Sequence, residues 1–249
     1  MAKNLLTPGQ ALKRVLAKEI APIHSFFGED YFFQDLILDG ISDIVLSEGE
    51  KKNTFIMGVD NEDDFLNLFN SNSLFSQKSV IVVKNAKKIK PKFYDEVIDY
   101  CKNPSMDNYV VFIFNDPYSS NKFIDSISNL STCVDMRTPF PNKMKEWVRY
   151  YCKKNNFILP DSTLTDLVDN YGENINNVIN EIDKLYLHSL GKIEDVNLSI
   201  ESNAYKKESQ VWKLMDSVGK KNTAESINIY TQLYNNNTPM IKILLNLLD

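Results

Sequence analysis

Three places in this 249-residue sequence hold residue types that could meet phosphate, metal or another protein. The first is Phe26-Phe27-Gly28-Glu29-Asp30-Tyr31-Phe32-Phe33-Gln34-Asp35, where a glycine separates a short apolar run from a helical stretch. A phosphate-binding loop needs Gly-x-x-x-x-Gly-Lys-Ser/Thr. Its backbone N–H groups cradle phosphate, its Lys neutralises charge and its hydroxyl meets magnesium. Counted from Gly28, the second glycine falls on Phe33, the lysine on Gln34 and the hydroxyl on Asp35. An aromatic ring stands where backbone must approach closely, and a carboxylate stands where magnesium chemistry wants a hydroxyl. Gly28 itself suits a tight strand-to-helix turn. The second place is the end of the run Val80-Ile81-Val82-Val83. Two acids there would hold magnesium and polarise water, but Lys84 and Asn85 follow instead. The third is Ser73-Leu74-Phe75, an apolar pair set among Ser, Asn and Gln.

The remaining reactive types are sparse. Cys101, Cys133 and Cys152 show no C-x-x-C spacing, and His24 and His188 are the only histidines, so no metal site is local in sequence. His24 falls in a predicted buried strand and is assigned no role. Lys84, Lys87, Lys88, Lys90 and Lys92 form a basic cluster with two readings: a contact to DNA phosphates or to an acidic protein surface, or a solvated face after a strand. The net charge of -5 argues against a surface devoted to nucleic acid, while allowing such a patch. With no apolar signal core, no long apolar run and an odd number of scattered thiols, we expect a soluble cytoplasmic protein with no membrane contact. No cofactor is expected.

The elements that must position these residues fall into two styles. In the first half, apolar runs at Ile23 to Phe27, Thr54 to Met57, Val80 to Val83, Val110 to Phe114 and Thr132 to Met136 alternate with helical stretches. Those stretches are Tyr31 to Leu46, a segment bearing Phe65, Leu68 and Phe69 behind Asn61-Glu62-Asp63-Asp64, Phe93 to Cys101, and Lys122 to Leu130. Near-continuous apolar strands alternating with helices predict a parallel five-stranded sheet covered on both faces. Thr138-Pro139-Phe140-Pro141 ends the alternation. Three helical stripes follow, on Met144/Trp147/Val148/Tyr151, Leu164/Leu167/Val168/Tyr171 and Ile175/Val178/Ile179/Ile182/Leu185/Tyr186. After a polar Tyr205-Lys206-Lys207-Glu208-Ser209-Gln210, a third block begins with Val211, Leu214, Met215 and Val218. Trp147 and Trp212 sit on these stripes and are expected in the core. The chain stops within Leu244, Leu245, Leu247 and Leu248, an apolar helix that reads as unfinished. The expected organisation is an α/β domain over 1–139, a small helical lid over 140–204 and the apparently incomplete beginning of a helical collar over 205–249.

A parallel α/β domain followed by a helical lid is the layout of AAA+ ATPases, and in that frame two more positions have lost their chemistry. The arginine of a Ser-Arg-Cys motif falls on Thr132 of Ser131-Thr132-Cys133, and a lid-domain sensor arginine falls near Asn176. The whole pattern resembles the delta subunit of the bacterial DNA polymerase III clamp loader. The resemblance is carried by "FFGEDYFFQD", "SLFSQKSVIVVKNAKKI" and "YGENINNVINEIDKLYLHSLGKI", and it covers nearly the whole chain.

The resemblance implies a non-catalytic subunit that binds the sliding clamp (beta) and promotes ring opening. It would work with gamma/tau and delta prime subunits inside a nucleotidyltransferase complex, touching DNA weakly or indirectly. It implies that Leu74 and Phe75, with Ser73, insert into a pocket on the clamp. Read without it, the same pair would pack under the sheet edge. Lys84, Lys87 and Lys88 would add electrostatic contact. The degenerate nucleotide site at Gly28, Gln34, Asp35, Lys84 and Asn85 would bind nothing. The alternatives are an ATP-binding motor or arginine-finger subunit of a similar loader, and a stand-alone nucleic-acid-binding regulator.

Overall fold

The computed structural model describes residues 5–47, 49–50, 52–70, 78–116, 118, 121–172, 174–188 and 204–235. The chain divides into two compact units, one up to Pro139 and one from Phe140 onward. In the first, β1 (Ile23–Phe27), β2 (Asn53–Ile56), β3 (Ser79–Lys84), β4 (Asn108–Phe114) and β5 (Thr132–Asp135) form one sheet in the order β2-β3-β4-β1-β5. Every pairing is parallel. Helices α1 (Pro8–Leu16), α2 (Tyr31–Val45), α3 (Glu62–Asn70), α4 (Tyr94–Lys102) and α5 (Lys122–Leu130) surround it.

Strand alternation explains the double cover. Ile23 and Phe27 of β1, Ile81 and Val83 of β3, and Val110, Phe112 and Phe114 of β4 share one core with Phe65, Phe69, Val97 and Ile124 of the helices. The intervening Phe26, Val82, Val111 and Ile113 are also buried. No face of the central strands meets water, which is why they lack a polar alternation. The edge strand β2 is largely exposed.

Helix starts follow local chemistry. Asp30 caps α2 and Asn121 caps α5, its side-chain oxygen accepting from the Ile124 N–H at 2.8 Å. The sequence reading gave no helix before β1, yet α1 is there. Its signal was present: the Gln10 N–H donates to the Thr7 hydroxyl while the Thr7 N–H donates to the Gln10 side chain, and Pro8 opens the first turn. Leu6, just before it, hydrogen-bonds Cys133 and Asp135, so the β5 edge is partly covered.

In the second unit, α6 (Pro141–Lys154), α7 (Asp161–Tyr171) and α8 (Ile175–His188) bury Met144, Val148, Leu164, Leu167, Val168, Tyr171, Ile175, Val178 and Ile182, as the three stripes predict. The Tyr151 hydroxyl donates to Asp183 at 2.6 Å. Then α9 (Ala204–Gly219) and α10 (Thr223–Asn235) pack Val211, Leu214 and Leu233 together. Three expectations change here. The stretch 205–210 is not a break but the first half of α9. Trp212 is 59% exposed and Val218 is 47% exposed, so neither is core. Trp212 follows Val211 directly and so sits about 100° round the helix from it, which turns it outward, whereas Val218 lies on the Val211–Leu214 stripe one residue from the end of α9. Trp147 is partly buried, its ring edge-on to Tyr150 at 6.0 Å.

Candidate functional site

In open parallel sheets the ligand crevice lies beyond the carboxyl ends of the strands, where the strand order reverses. Here that place is the end of β1, flanked by β4 and β5, and it begins at Gly28. Gly28 has φ of +129°, and a Cβ on it would stand 2.4 Å from the Met136 carbonyl carbon. Glycine is required twice over, by backbone angle and by the close approach of the chain after β5.

Several polar groups of this loop are engaged within the chain. The Gly28 N–H donates to the Phe114 carbonyl and the Asp30 N–H to the Met136 carbonyl, both at 3.0 Å. The Phe33 N–H, at the start of α2, donates to the Asp30 carboxylate at 3.4 Å. That carboxylate also accepts from the Thr138 hydroxyl at 3.0 Å, and Asp30 is 2% exposed. A helix N-terminus attracts an anion because unpaired N–H groups and the helix dipole converge there. In this chain Asp30 supplies the anion from within.

Gln34, at the position of the phosphate lysine, turns inward and donates from Nε2 to the Gly28 carbonyl at 2.8 Å. The loop is therefore tied to its own helix by the residue that would otherwise reach a phosphate. Phe33 is fully buried, and Asp35 points to solvent one step further round α2. Asp30 and Thr138 were not singled out from sequence. Asp30 had a signal, a cap residue placed just ahead of Tyr31-Phe32-Phe33; Thr138 had none, because its bond to Asp30 spans 108 residues.

Lys84 and Asn85 close β3, two strands away from β1. Asn85 takes the left-handed conformation at φ 55°, and its side-chain oxygen accepts from Asn115 Nδ2 at 3.0 Å. Thr132 begins β5, half-buried, with Ser131 bonded to Ser25 at 2.7 Å and Cys133 Sγ donating to the Ser128 carbonyl. Asn176 donates from its backbone N–H and its Nδ2 to the Asn174 side-chain oxygen. Arg137, just past β5, is held by Asp135 and by the Tyr118 hydroxyl, and the Asp135 contact above all drives its already high pKa higher. Among the described residues no three His, Cys, Asp or Glu side chains cluster as metal ligands.

Of the lysine cluster, Lys84 ends β3, Lys87, Lys88 and Lys92 lie in two short 3-10 turns, Ala86–Lys88 and Pro91–Phe93, and Lys90 lies between the turns. Its members differ. Lys87 pairs with Asp116 at 3.3 Å and Lys90 with Glu62 at 2.9 Å, while Lys92 lies over the Phe93 ring. The Lys90 contact holds the buried Glu62 carboxyl below its usual range, against the opposing effect of burial. Lys84 and Lys88 have no carboxylate at ion-pair distance among the described residues.

Ser73, Leu74 and Phe75 lie outside the described residues, as do Leu244, Leu245, Leu247 and Leu248. The stems of the first segment are well defined: α3 ends at Asn70 and β3 begins at Ser79. His24 is buried with neither ring nitrogen in a hydrogen bond of good geometry. Burial, with a smaller push from Arg14, lowers its pKa to about 4, while the nearby Ala21 backbone partly offsets this.

The sequence matches no protein-family model and no curated protein. Its fold has clear neighbours among solved structures. The DNA clamp loader delta protein of Bacillus subtilis aligns with a TM-score of 0.63 over 96% of this chain and 75% of its own, at 16% identity. The RuvB Holliday junction branch migration motor of Thermotoga maritima aligns with a TM-score of 0.53 over 85% of this chain and 73% of its own, at 9% identity. The chain thus has an AAA+-like fold of the kind found in the clamp loader delta protein. No helix among the described residues is long and apolar enough to cross a membrane.

Proposed function

We propose that this chain is a delta-type subunit of a replicative clamp loader, which binds the sliding clamp and favours its open form without hydrolysing ATP itself. The observation that carries this reading is the fold likeness to a clamp loader delta protein across 96% of the chain, both units included. The loop at Gly28 supports it from a second side. The Asp30 carboxylate accepts from the Phe33 N–H and Gln34 donates to the Gly28 carbonyl, so both side chains are engaged within the loop.

The clamp contact is assigned to Ser73-Leu74-Phe75, and its mechanism needs no reacting group. A closed ring under strain opens more readily when a subunit prefers the sprung interface. The shift is limited to the difference in affinity for the two ring states. Gamma/tau and delta prime partners would supply ATP-dependent control, and Lys84, Lys87 and Lys88 would face an acidic clamp surface or DNA. The division of residues 140–249 into a lid to 204 and a collar beyond is part of the same proposal. Clamp binding by isothermal calorimetry, with the sliding clamp of the same organism, tests it. Micromolar or tighter binding is expected, and its absence would remove the reading.

A further inference from the structure

We infer that Asp60 closes the free edge of the sheet, so that β2 does not pair with the same strand of a second copy of this chain. An open sheet has two edges, and each is a template for another strand. At the β5 edge the chain covers itself. The Leu6 N–H donates to the Cys133 carbonyl and the Asp135 N–H to the Leu6 carbonyl, both at 2.9 Å. At the other edge β2 is the last strand of the order, and it is largely exposed. Its Thr54-Phe55-Ile56 is β-branched and aromatic, a composition that suits pairing.

The register decides which backbone groups face outward. Strand β2 runs parallel to β3 with Ile56 opposite Lys84, and the Met57 N–H donates to the Lys84 carbonyl at 2.9 Å. The neighbours of Ile56 thus make the ladder bonds to β3, and the alternation turns the N–H and C=O of Thr54 and Ile56 toward the open edge. Those of Ile56 are taken up by the turn that follows. Its N–H donates to the Asp60 carboxylate at 2.6 Å. Its carbonyl accepts from the Val59 N–H at 3.0 Å and the Asp60 N–H at 2.9 Å. Gly58 makes this return possible at φ +87°, and the Lys88 stem lies across it, with Cδ 2.9 Å from where a Cβ would stand. Within β2 that leaves Thr54 to offer a bonding pair, and a single residue is too short a ladder to hold a second chain. Without the Asp60 carboxylate, the Ile56 N–H joins it. Two copies related by a two-fold axis would then pair through Thr54 and Ile56.

The test is the oligomeric state of the full chain, read by sedimentation velocity at increasing concentration. Asp60→Ala removes the acceptor and Asp60→Asn keeps one, while both change the net charge equally. Asp60→Ala should tighten self-association at least about tenfold over the wild type, and Asp60→Asn by less than about threefold. Thr54→Pro removes an N–H that faces away from β3, a place where an edge strand tolerates proline. Added to Asp60→Ala, it should restore wild-type sedimentation. An Asp60→Ala chain that sediments like the wild type would overturn the inference. So would equal self-association in Asp60→Asn, or self-association that Thr54→Pro leaves intact. Should Asp60→Ala fail to fold, Asp60→Ser, whose hydroxyl falls one bond short of Ile56, is read against Asp60→Asn in the same way. None of these measurements involves the clamp, so they decide the matter whether or not the proposed function holds.

Discussion

The two ends of the sheet have been treated in opposite ways. At the carboxyl end of β1, where parallel sheets of this layout hold their ligands, three residues are turned back on the chain itself: Asp30 on the start of α2 and on Thr138, Gln34 on Gly28, and Gly28 on Phe114. At the amino end of β3 and β4, a buried amide, that of Asn108, bonds the Leu68 carbonyl of α3 and the Ser79 hydroxyl of β3. One end is sealed by its own side chains and the other is braced. On the proposed reading, the rigid sheet serves to aim a protein contact from the end opposite the Gly28 loop.

The strongest way to break this comparison is at the braced end. Replacing Leu74 and Phe75 together with Ala should weaken clamp binding by at least about a hundredfold, since two buried apolar side chains contribute roughly 3–6 kcal/mol before ordering costs. Thermal stability should hardly move if the pair is exposed in the free chain. If instead the double variant melts early, the pair belongs to the core. If it stays folded and binds normally, the clamp contact lies elsewhere.

At the sealed end, Gly28→Ala should cost about 3 kcal/mol, from strain at φ +129° and collision with the Met136 carbonyl. The melting temperature of the chain should drop by roughly 6–12 °C. A Gly28→Ala protein that melts like the wild type would mean that the loop is not locked against β5. Mg-ATP should show no calorimetric binding to the wild type, nor to Gln34→Lys, because Asp30 still fills the start of α2. Micromolar binding by either would reopen the sealed end.

His24 makes a comparable contribution that depends on pH. Its folded pKa of about 4 lies below the ordinary value of 6.5. Between those values the unfolded chain takes up a proton that the folded chain refuses. Stability is therefore full above pH 6.5 and falls as pH drops toward 4, by up to about 3 kcal/mol. Urea unfolding at pH 7 and pH 4.5 should show that loss in the wild type and a smaller one in His24→Leu. Equal slopes in the two proteins would place the titrating group elsewhere.

How far these features could be read beforehand varies with the range of the interactions that make them. The five strands were legible because β-branched and aromatic runs follow from burial on both faces, a local demand on each segment. Helix α1 was equally legible in Thr7-Pro8-Gly9-Gln10, where a capping pair encloses a proline in the first turn. Trp212 misled because it stands next to an apolar stripe and not on it: one step from Val211 turns a helical side chain about 100° away from the covered face. That Gln34 and Asp35 stand where a phosphate loop would carry Lys and Ser/Thr could be counted off from Gly28. The long-range bonds could not: Asp30 meets Thr138, and Asn108 meets Leu68, only through tertiary folding.

The smallest effect expected is at the lysines, and it sharpens the comparison because they sit at the carboxyl end of β3. Lys87 and Lys90 already face Asp116 and Glu62. Any partner recruiting them must compete with those carboxylates. Lys84 and Lys88 have no such competitor among the described residues, so they are the members available for an acidic clamp surface or for DNA. Exposed charges at the rim of an interface change association rates and salt dependence more than dissociation. Lys84→Ala with Lys88→Ala should therefore slow clamp association by about threefold at low salt, with the difference vanishing near 0.5 M salt as screening shortens to a few ångströms. Lys87→Ala alone should change little, and should cost at most about 1 kcal/mol of stability through its half-exposed pair. Stopped-flow association at several salt concentrations reads all three variants. A salt-independent loss, or a larger effect from Lys87 than from Lys84 and Lys88, would show that the pairing with Asp116 does not decide which lysines are available.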